Sequence, residues 1–265
     1  MTGKQKYHST QEYDDDLIAL LEAVWGDGFM SPGSTGEVDR IVDGLNLKGM
    51  TVLDIGCGVG GGDVHFASNY EPATVIGIDV ESHLIDRCRT LSERRGTSHI
   101  TDFRCVDPGP LPLPDASVDL VFSKDSIIHI PDKGALAADI FRCLKPGGYF
   151  AASDWLAGYD GHPPAEMQAY IEAEGLDFAP ASAKVYQCAL ADAGFDNIQI
   201  NDRNTWYRQE ARHERDNLAG ALSSRLETAV GREFLKREIE VWDKMIIALD
   251  QRQLMPTHLR ARKPD

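Results

Sequence analysis

Cations are scarce in this sequence of 265 residues: 27 Lys and Arg stand against 42 Asp and Glu, a formal net charge of −15. So acidic a chain is poorly suited to nucleic acid, whose affinity comes mainly from cationic groups displacing counterions. Long apolar runs are also missing. No stretch approaches the ~18 residues of a membrane span, and the N-terminal MTGKQKYHSTQEYDDD has no apolar centre of a signal peptide. A cytoplasmic protein with neither a nucleic-acid nor a membrane partner is the expectation. Cysteines are few and scattered. Cys57, Cys88, Cys105, Cys143 and Cys188 never form CxxC, which argues against a disulfide framework or zinc knuckle and for buried, reduced thiols. The histidines show neither HxxxH nor HExxH, so no metal is expected. Internal repeats and low-complexity linkers are absent too.

What is present is ordinary globular composition, 42% apolar, with a clear change of rhythm along the chain. Helical periodicity over Leu17 to Val24 is followed by a Gly/Pro/Ser-rich loop, Gly26 to Gly36, and a second helix is predicted over Glu37 to Leu45. Short β-type runs then recur at Thr51–Ile55, Thr74–Ile78, Phe103–Val106, Val118–Phe122 and Tyr149–Ala152, each separated by a segment able to form a helix. That alternation predicts an α/β protein, a parallel sheet with helices on both faces. Tyr159 to Phe178 reads as an inserted helical cap. Strands are expected again at Asn197–Asn201 and near Trp206, then helices from Glu210 to about Leu254, and a final strand at His258–Lys263. The expected organisation is one domain: a lid over 1–36, a core over 45–155, a cap over 159–195, and sheet completion with helices over 196–265.

The run VLDIGCGVGG, residues 52–61, carries a strand into a turn with glycines at 56, 58, 60 and 61. Without Cβ atoms, such a turn lets a ligand lie against backbone while the next helix aims free N–H groups at it. Gly56, Gly58 and Gly61 satisfy GxGxxG, so a dinucleotide-binding dehydrogenase is one reading. Asp54 separates the readings, because an anion at the strand end suits a cationic amino group and does nothing for a pyrophosphate. Asp79, ending VIGID, can grip a ribose diol under either reading. Asp107 closes the third strand within reach of an adenine amine. Asp115 reads as a turn cap, and Leu144–Gly148 (LKPGG) as a helix stop.

In this order, LDIGCGVGG, GID, VDPGPLPLPDASVDLVFS and LKPGG resemble the class I S-adenosylmethionine-dependent methyltransferases over roughly residues 45–155. The resemblance implies their Rossmann-like sheet and a cofactor site of Ser31, Gly33, Asp54, Gly56, Gly58, Asp79, Val80, Asp107, Pro108 and Ser123. Three further segments, the upstream Tyr13, WGDGFMSPG (25–33) and SKDSIIH (123–129), resemble the phosphoethanolamine (phosphobase) N-methyltransferases. That resemblance implies that Tyr13 and His129 lock together above the substrate and that Asp125 touches its amine. Simpler readings stand beside these: His129 as a core residue, Asp125 as a helix N-cap, Tyr13 as packing.

Methyl transfer is an in-line displacement needing a neutral lone pair held about 3 Å from the methyl carbon, and an amine is mostly protonated at neutral pH, so a histidine base fits. Departures concern the phosphate. Where the family holds it with Arg, Tyr and Lys, this sequence has Glu174 or Leu176, Leu176 or Phe178, and Met245 beside Lys244. An acidic or apolar lining disfavours phosphate. Trp155 is a candidate to lie over a methylated cation or to cover the sheet edge, and Arg203 and Arg208 are candidates for a substrate carboxylate. The expected function is methyl transfer from S-adenosylmethionine to the nitrogen of a small, unphosphorylated amine or amino acid. Alternatives are S-methylation of a thioether carboxylate and a non-catalytic cofactor-binding module.

Overall fold

The computed structural model describes residues 13–176 and 178–265; the first twelve residues of the expected lid lie outside them. Helix α1 (Asp15–Trp25) starts where Asp14 Oδ1 accepts the Leu17 N–H at 2.9 Å, with Asp15 and Asp16 completing an acidic first turn that suits the positive end of the helix dipole. After α2 (Ser34–Ile41) comes the predicted alternation: β1 (Thr51–Ile55), α3 (Gly61–Asn69), β2 (Thr74–Asp79), α4 (Ser82–Arg95), β3 (Thr101–Cys105), β4 (Val118–Lys124), α5 (Lys133–Cys143) and β5 (Leu144–Ala157). The chain continues through α6 (Ala165–Glu174), α7 (Ala183–Ala193), β6 (Asp196–Asp202), α8 (Asn204–Ala219), α9 (Ser223–Ala229), α10 (Arg232–Asp250) and β7 (Leu254–Arg262).

These strands form one seven-stranded sheet in the order β3-β2-β1-β4-β5-β7-β6. The first five are mutually parallel, while β7 runs antiparallel to both β5 and β6. Leu53 is paired with Ile76 on one side and Val121 on the other, so β1 lies in the middle of the parallel half. Strand alternation splits its apolar residues between two cores. Val52 packs with Phe66, Leu120 and Phe122 on one face; Leu53 packs with Val121, Ile140 and Phe150 on the other. A third core, mostly helical, gathers Leu20, Met167, Tyr170, Tyr207, Leu235, Trp242 and Met245 from α1, α6, α8 and α10 and meets the sheet at Leu254 and Trp155.

Several sequence-based expectations are corrected. Trp206 lies in α8 and not in a strand, and α2 begins three residues early, at Ser34. The segment read as one cap is two things: α6 packs against α10, whereas α7 packs against α5 over the sheet. Cys105 and Cys188 are exposed, against the expectation that all five thiols are buried. LKPGG does stop a helix, since α5 ends at Cys143, but it belongs to β5 and does not precede it, with Leu144 opposite Val118 and a register shift that takes up Gly147 and Gly148. Among the described residues no helix is long and apolar enough to cross a membrane.

Candidate functional site

Strand order reverses direction between β1 and β4, and in open α/β sheets a crevice opens at the carboxyl ends of the strands at such a switch. The loop leaving β1 is the glycine turn. Gly56, Gly58 and Gly60 have φ of +71°, +55° and +89°, a region favouring glycine. A Cβ at Gly56 would also run into Ser126 Oγ, so the loops after β1 and β4 are in contact there. The segment after α1 closes the far wall, where Gly61 N donates to the Gly28 carbonyl at 2.9 Å. The resulting cleft is lined by Gly28 to Ser31, Asp54, Gly56 to Val59, Gly61, Gly62, Phe122 and Lys124.

Asp54 is buried at the end of β1, and its Oδ1 has no hydrogen-bond partner among the described residues. Its carboxyl is pushed well up by burial and by Asp63, whose own carboxyl burial raises to about 7. Two carboxyls side by side, out of water, call for a cation or a shared proton. Asp79 holds the glycine turn from β2: its Oδ2 accepts the Gly58 N–H at 3.0 Å and its Oδ1 the Glu81 N–H at 3.0 Å. Val80, Asp107 and Pro108 are exposed just beyond the carboxyl ends of β2 and β3.

Of the ten residues named for this site from sequence, Ser31, Asp54, Gly56 and Gly58 line the cleft and the other six do not. Ser123 is buried under the loop, its hydroxyl donating to the Ile55 carbonyl at 2.8 Å, so it joins β4 to β1. Gly33 caps α2 against Glu37 and Trp206. Conversely, Lys124 was missed although it directly precedes Asp125. Its side chain, 8% exposed, lies in the cleft wall, with the ammonium 2.5 Å from Ser31 Oγ and 3.1 Å from Asp125 Oδ2. A lysine ending an apolar strand was the available signal.

Beside Lys124, Asp125 has φ +60°, an unusual value for a non-glycine residue, and is held there from β5. Its N–H donates to the Ser153 carbonyl at 2.8 Å, and its Oδ1 accepts the Ser153 hydroxyl at 2.6 Å. The 3-10 turn Ile127–His129 follows. His129 Nε2 lies 3.4 Å from Tyr13 Oη with the rings edge to face, and Phe178 lies beside the imidazole at 5.5 Å between ring centroids. Tyr13 and His129, 116 residues apart in sequence, are thus brought together.

Beyond Phe178 the packing is aromatic and acidic. Phe178 is tilted against Tyr170, and Tyr170 bonds to Glu174, whose carboxyl burial and the neighbouring Glu238 raise to about 7. Trp155, half-buried, meets Tyr207 edge-on at 5.0 Å. Tyr207, Trp25 and Trp242 all donate to the Glu214 carboxylate, at 2.9, 2.7 and 3.2 Å. Met245 is buried in the same cluster. Arg203 does not have the role expected for it. Both edges of its guanidinium bond to Glu37, at 3.0 and 3.1 Å, and it stacks on Trp206 at 4.6 Å, so it ties α2 to the start of α8. Glu37 also accepts from His258 at 2.7 Å, and these partners hold it at about 2 against its burial. Arg208 faces Asp250.

Residues 53–152 match the family described as Methyltransferase domain. This chain carries a methyltransferase domain. Its sheet and helices have the class I S-adenosylmethionine-dependent methyltransferase fold, as the structural similarities show. The Arabidopsis thaliana phosphoethanolamine N-methyltransferase 1 is 36% identical over 217 residues, covering 82% of this chain and 43% of that protein. The chain therefore spans less than half the length of that relative. A solved phosphoethanolamine N-methyltransferase 2 of Haemonchus contortus, bound to phosphomonomethylethanolamine and S-adenosylhomocysteine, superposes with a TM-score of 0.88 at 21% identity, over 100% of this chain and 61% of that one. A Galdieria sulphuraria protein described as a sarcosine dimethylglycine methyltransferase superposes with a TM-score of 0.80 at 20% identity, over 95% of this chain and 98% of that one.

Proposed function

We propose that this protein transfers the methyl group of S-adenosylmethionine to the nitrogen of a small, unphosphorylated amine or amino acid. The cofactor reading rests on the fit of the cleft. Asp54, with an unpartnered buried oxygen, suits the cofactor's ammonium. Lys124 and Ser31 suit its carboxylate, Asp79 the ribose hydroxyls, and Asp107 the adenine amine, with Val80 and Pro108 flanking the ring. The bare backbone at Gly56 and Gly58 leaves room for the chain between. Bound there, the cofactor supplies a methyl group on a positively charged sulfur.

The residues of this chain do the rest. Asp125, held at positive φ by Ser153, orients the incoming ammonium. His129 takes the proton that must leave before nitrogen attacks, and the Tyr13 hydroxyl bonds to its ring, closing the site over the acceptor. The observation carrying the acceptor class is the lining next to that pair. Phe178 stands beside the imidazole, where its ring suits a cation, with Tyr170 behind it and the Glu174 carboxyl bonded to Tyr170. A phosphate dianion would meet that carboxyl and the buried thioether of Met245. The relatives named for phosphoethanolamine make this the sharp point of difference.

Labelled S-adenosylmethionine incubated with amines, amino acids, thioethers and phosphorylated amines, with products weighed by mass spectrometry, tests the reading. A methylated unphosphorylated amine is expected. Turnover on phosphoethanolamine at least as fast as on any unphosphorylated amine overturns the acceptor class.

A further inference from the structure

The turn that presents His129 is three residues long and makes few bonds of its own: His129 N–H to the Ser126 carbonyl at 3.2 Å and Ile130 N–H to the Ile127 carbonyl at 2.9 Å. So short a 3-10 element does not hold its shape unaided. It is held from beneath by charged groups that take no part in the site described above. Asp154, fully buried on β5, accepts the Ile128 N–H on Oδ1 at 3.0 Å and the Tyr186 hydroxyl on Oδ2. Lys133, 4% exposed at the start of α5, donates from Nζ to the Ile127 carbonyl at 2.7 Å and the Ile130 carbonyl at 2.5 Å. Its ammonium also lies 5.5 Å from the centre of the Tyr186 ring. Within the turn the Ile128 carbonyl accepts the Ala179 N–H at 2.9 Å, next to the Phe178 that flanks the imidazole.

Burying a carboxylate and an ammonium is expensive, and well-packed apolar residues of similar volume often stabilise a core as well or better. Placing both under one catalytic turn gives that turn a single geometry. Two consecutive residues of β5 divide the work, since Ser153 fixes Asp125 and Asp154 fixes the turn of His129. We propose that Asp154, Lys133 and Tyr186 are positioning residues for the methyl transfer, acting through the Ile127–His129 turn to set the imidazole against Tyr13 and the acceptor. The proposal rests on the reading of His129 as the base.

Tyr186→Phe removes one donor to Asp154 and leaves the ring, and Asp154→Asn keeps the shape while removing the charge. Each variant is made in the wild type and in His129→Ala, and kcat at saturating acceptor is compared with S-adenosylmethionine affinity by calorimetry. Residues sharing one hydrogen-bond network couple by roughly 0.5–3 kcal/mol, so kcat should fall about twofold to a hundredfold, more for Asp154→Asn, with cofactor affinity unchanged. In His129→Ala neither change should lower kcat further. Wild-type kcat in both variants, or an equal loss without His129, overturns the proposal. Should Asp154→Asn fail to fold, Tyr186→Phe carries the same comparison. A wild type inactive on every acceptor instead refutes the reading of His129. Hydrogen exchange at the Ile128 and His129 amides then decides: faster exchange in Tyr186→Phe supports the tie, and unchanged exchange overturns it.

Discussion

The two sides of the crevice are built from different materials. On the β1–β3 side the ligand surface is mostly backbone: left-handed glycines and the buried Asp54, with Asp79 bracing the turn and Asp107 standing in the open beyond it. On the β4–β5 side it is side chains from distant parts of the chain, with Tyr13 and Phe178 beside His129, Tyr170 packed behind Phe178, and buried carboxyls further back. The first side leaves polar atoms unpartnered and waiting for a ligand, whereas on the second Asp125, Asp154 and Glu214 already have bonds to both oxygens. A backbone surface recognises one cofactor by shape. A side-chain surface can change its acceptor by substitution while the sheet stays as it is.

If the sides are separable in this way, damage to one should spare the other. The largest effect belongs to His129→Ala, which should cut turnover about 10²–10⁴-fold, the usual contribution of a general base, while calorimetry finds cofactor affinity unchanged. Equal losses of turnover and of cofactor binding would break the comparison. Next comes a change of specificity: Glu174→Arg with Met245→Lys should raise kcat/KM for phosphoethanolamine, relative to an unphosphorylated amine, by about ten- to a hundredfold, equivalent to roughly 1.4–2.8 kcal/mol. On the other side, Asp79→Ala should weaken S-adenosylmethionine at least tenfold, since a charge-assisted hydrogen bond contributes about 1.5–3 kcal/mol, and should leave kcat at saturating cofactor close to wild type.

The smallest effect concerns pH. Burial raises Asp63 and Asp154 from 3.8 to about 7. Between those values the folded state keeps protons that the unfolded chain has released, so stability falls as pH rises from about 4 to 7. The cofactor's ammonium beside Asp54 and Asp63 should offset the first of these contributions. Melting curves from pH 5 to 8 should therefore slope downward more steeply without S-adenosylmethionine than with it, and parallel slopes would remove the ammonium from that pair.

The same contrast explains what was legible in the sequence. The parallel sheet and the glycine turn follow from local signals, because β-type runs and LDIGCGVGG need no knowledge of distant residues. Asp54 and Asp79 are named from sequence because they sit at fixed offsets from that turn. Tyr13 and His129 are paired only through family resemblance, since no local pattern joins residues 116 apart. Lys124, Asp63 and Asp154 went unnoticed because each is a single charged residue whose burial only the folded chain reveals. Arg203 was misassigned for the converse reason: its carboxylate partner is Glu37, 166 residues earlier, and not a substrate.

A direct competition tests the central claim, that this methyltransferase fold serves an unphosphorylated amine. Wild-type protein with limiting S-adenosylmethionine is given its best unphosphorylated amine and phosphoethanolamine at equal concentration in one vessel, and the two methylated products are weighed in the same spectrum. The carboxyl-and-aromatic lining predicts that nearly all the methyl label appears on the unphosphorylated amine. Label mainly on phosphoethanolamine would contradict it, and would mean that the phosphate is held by groups other than those at positions 174 and 245.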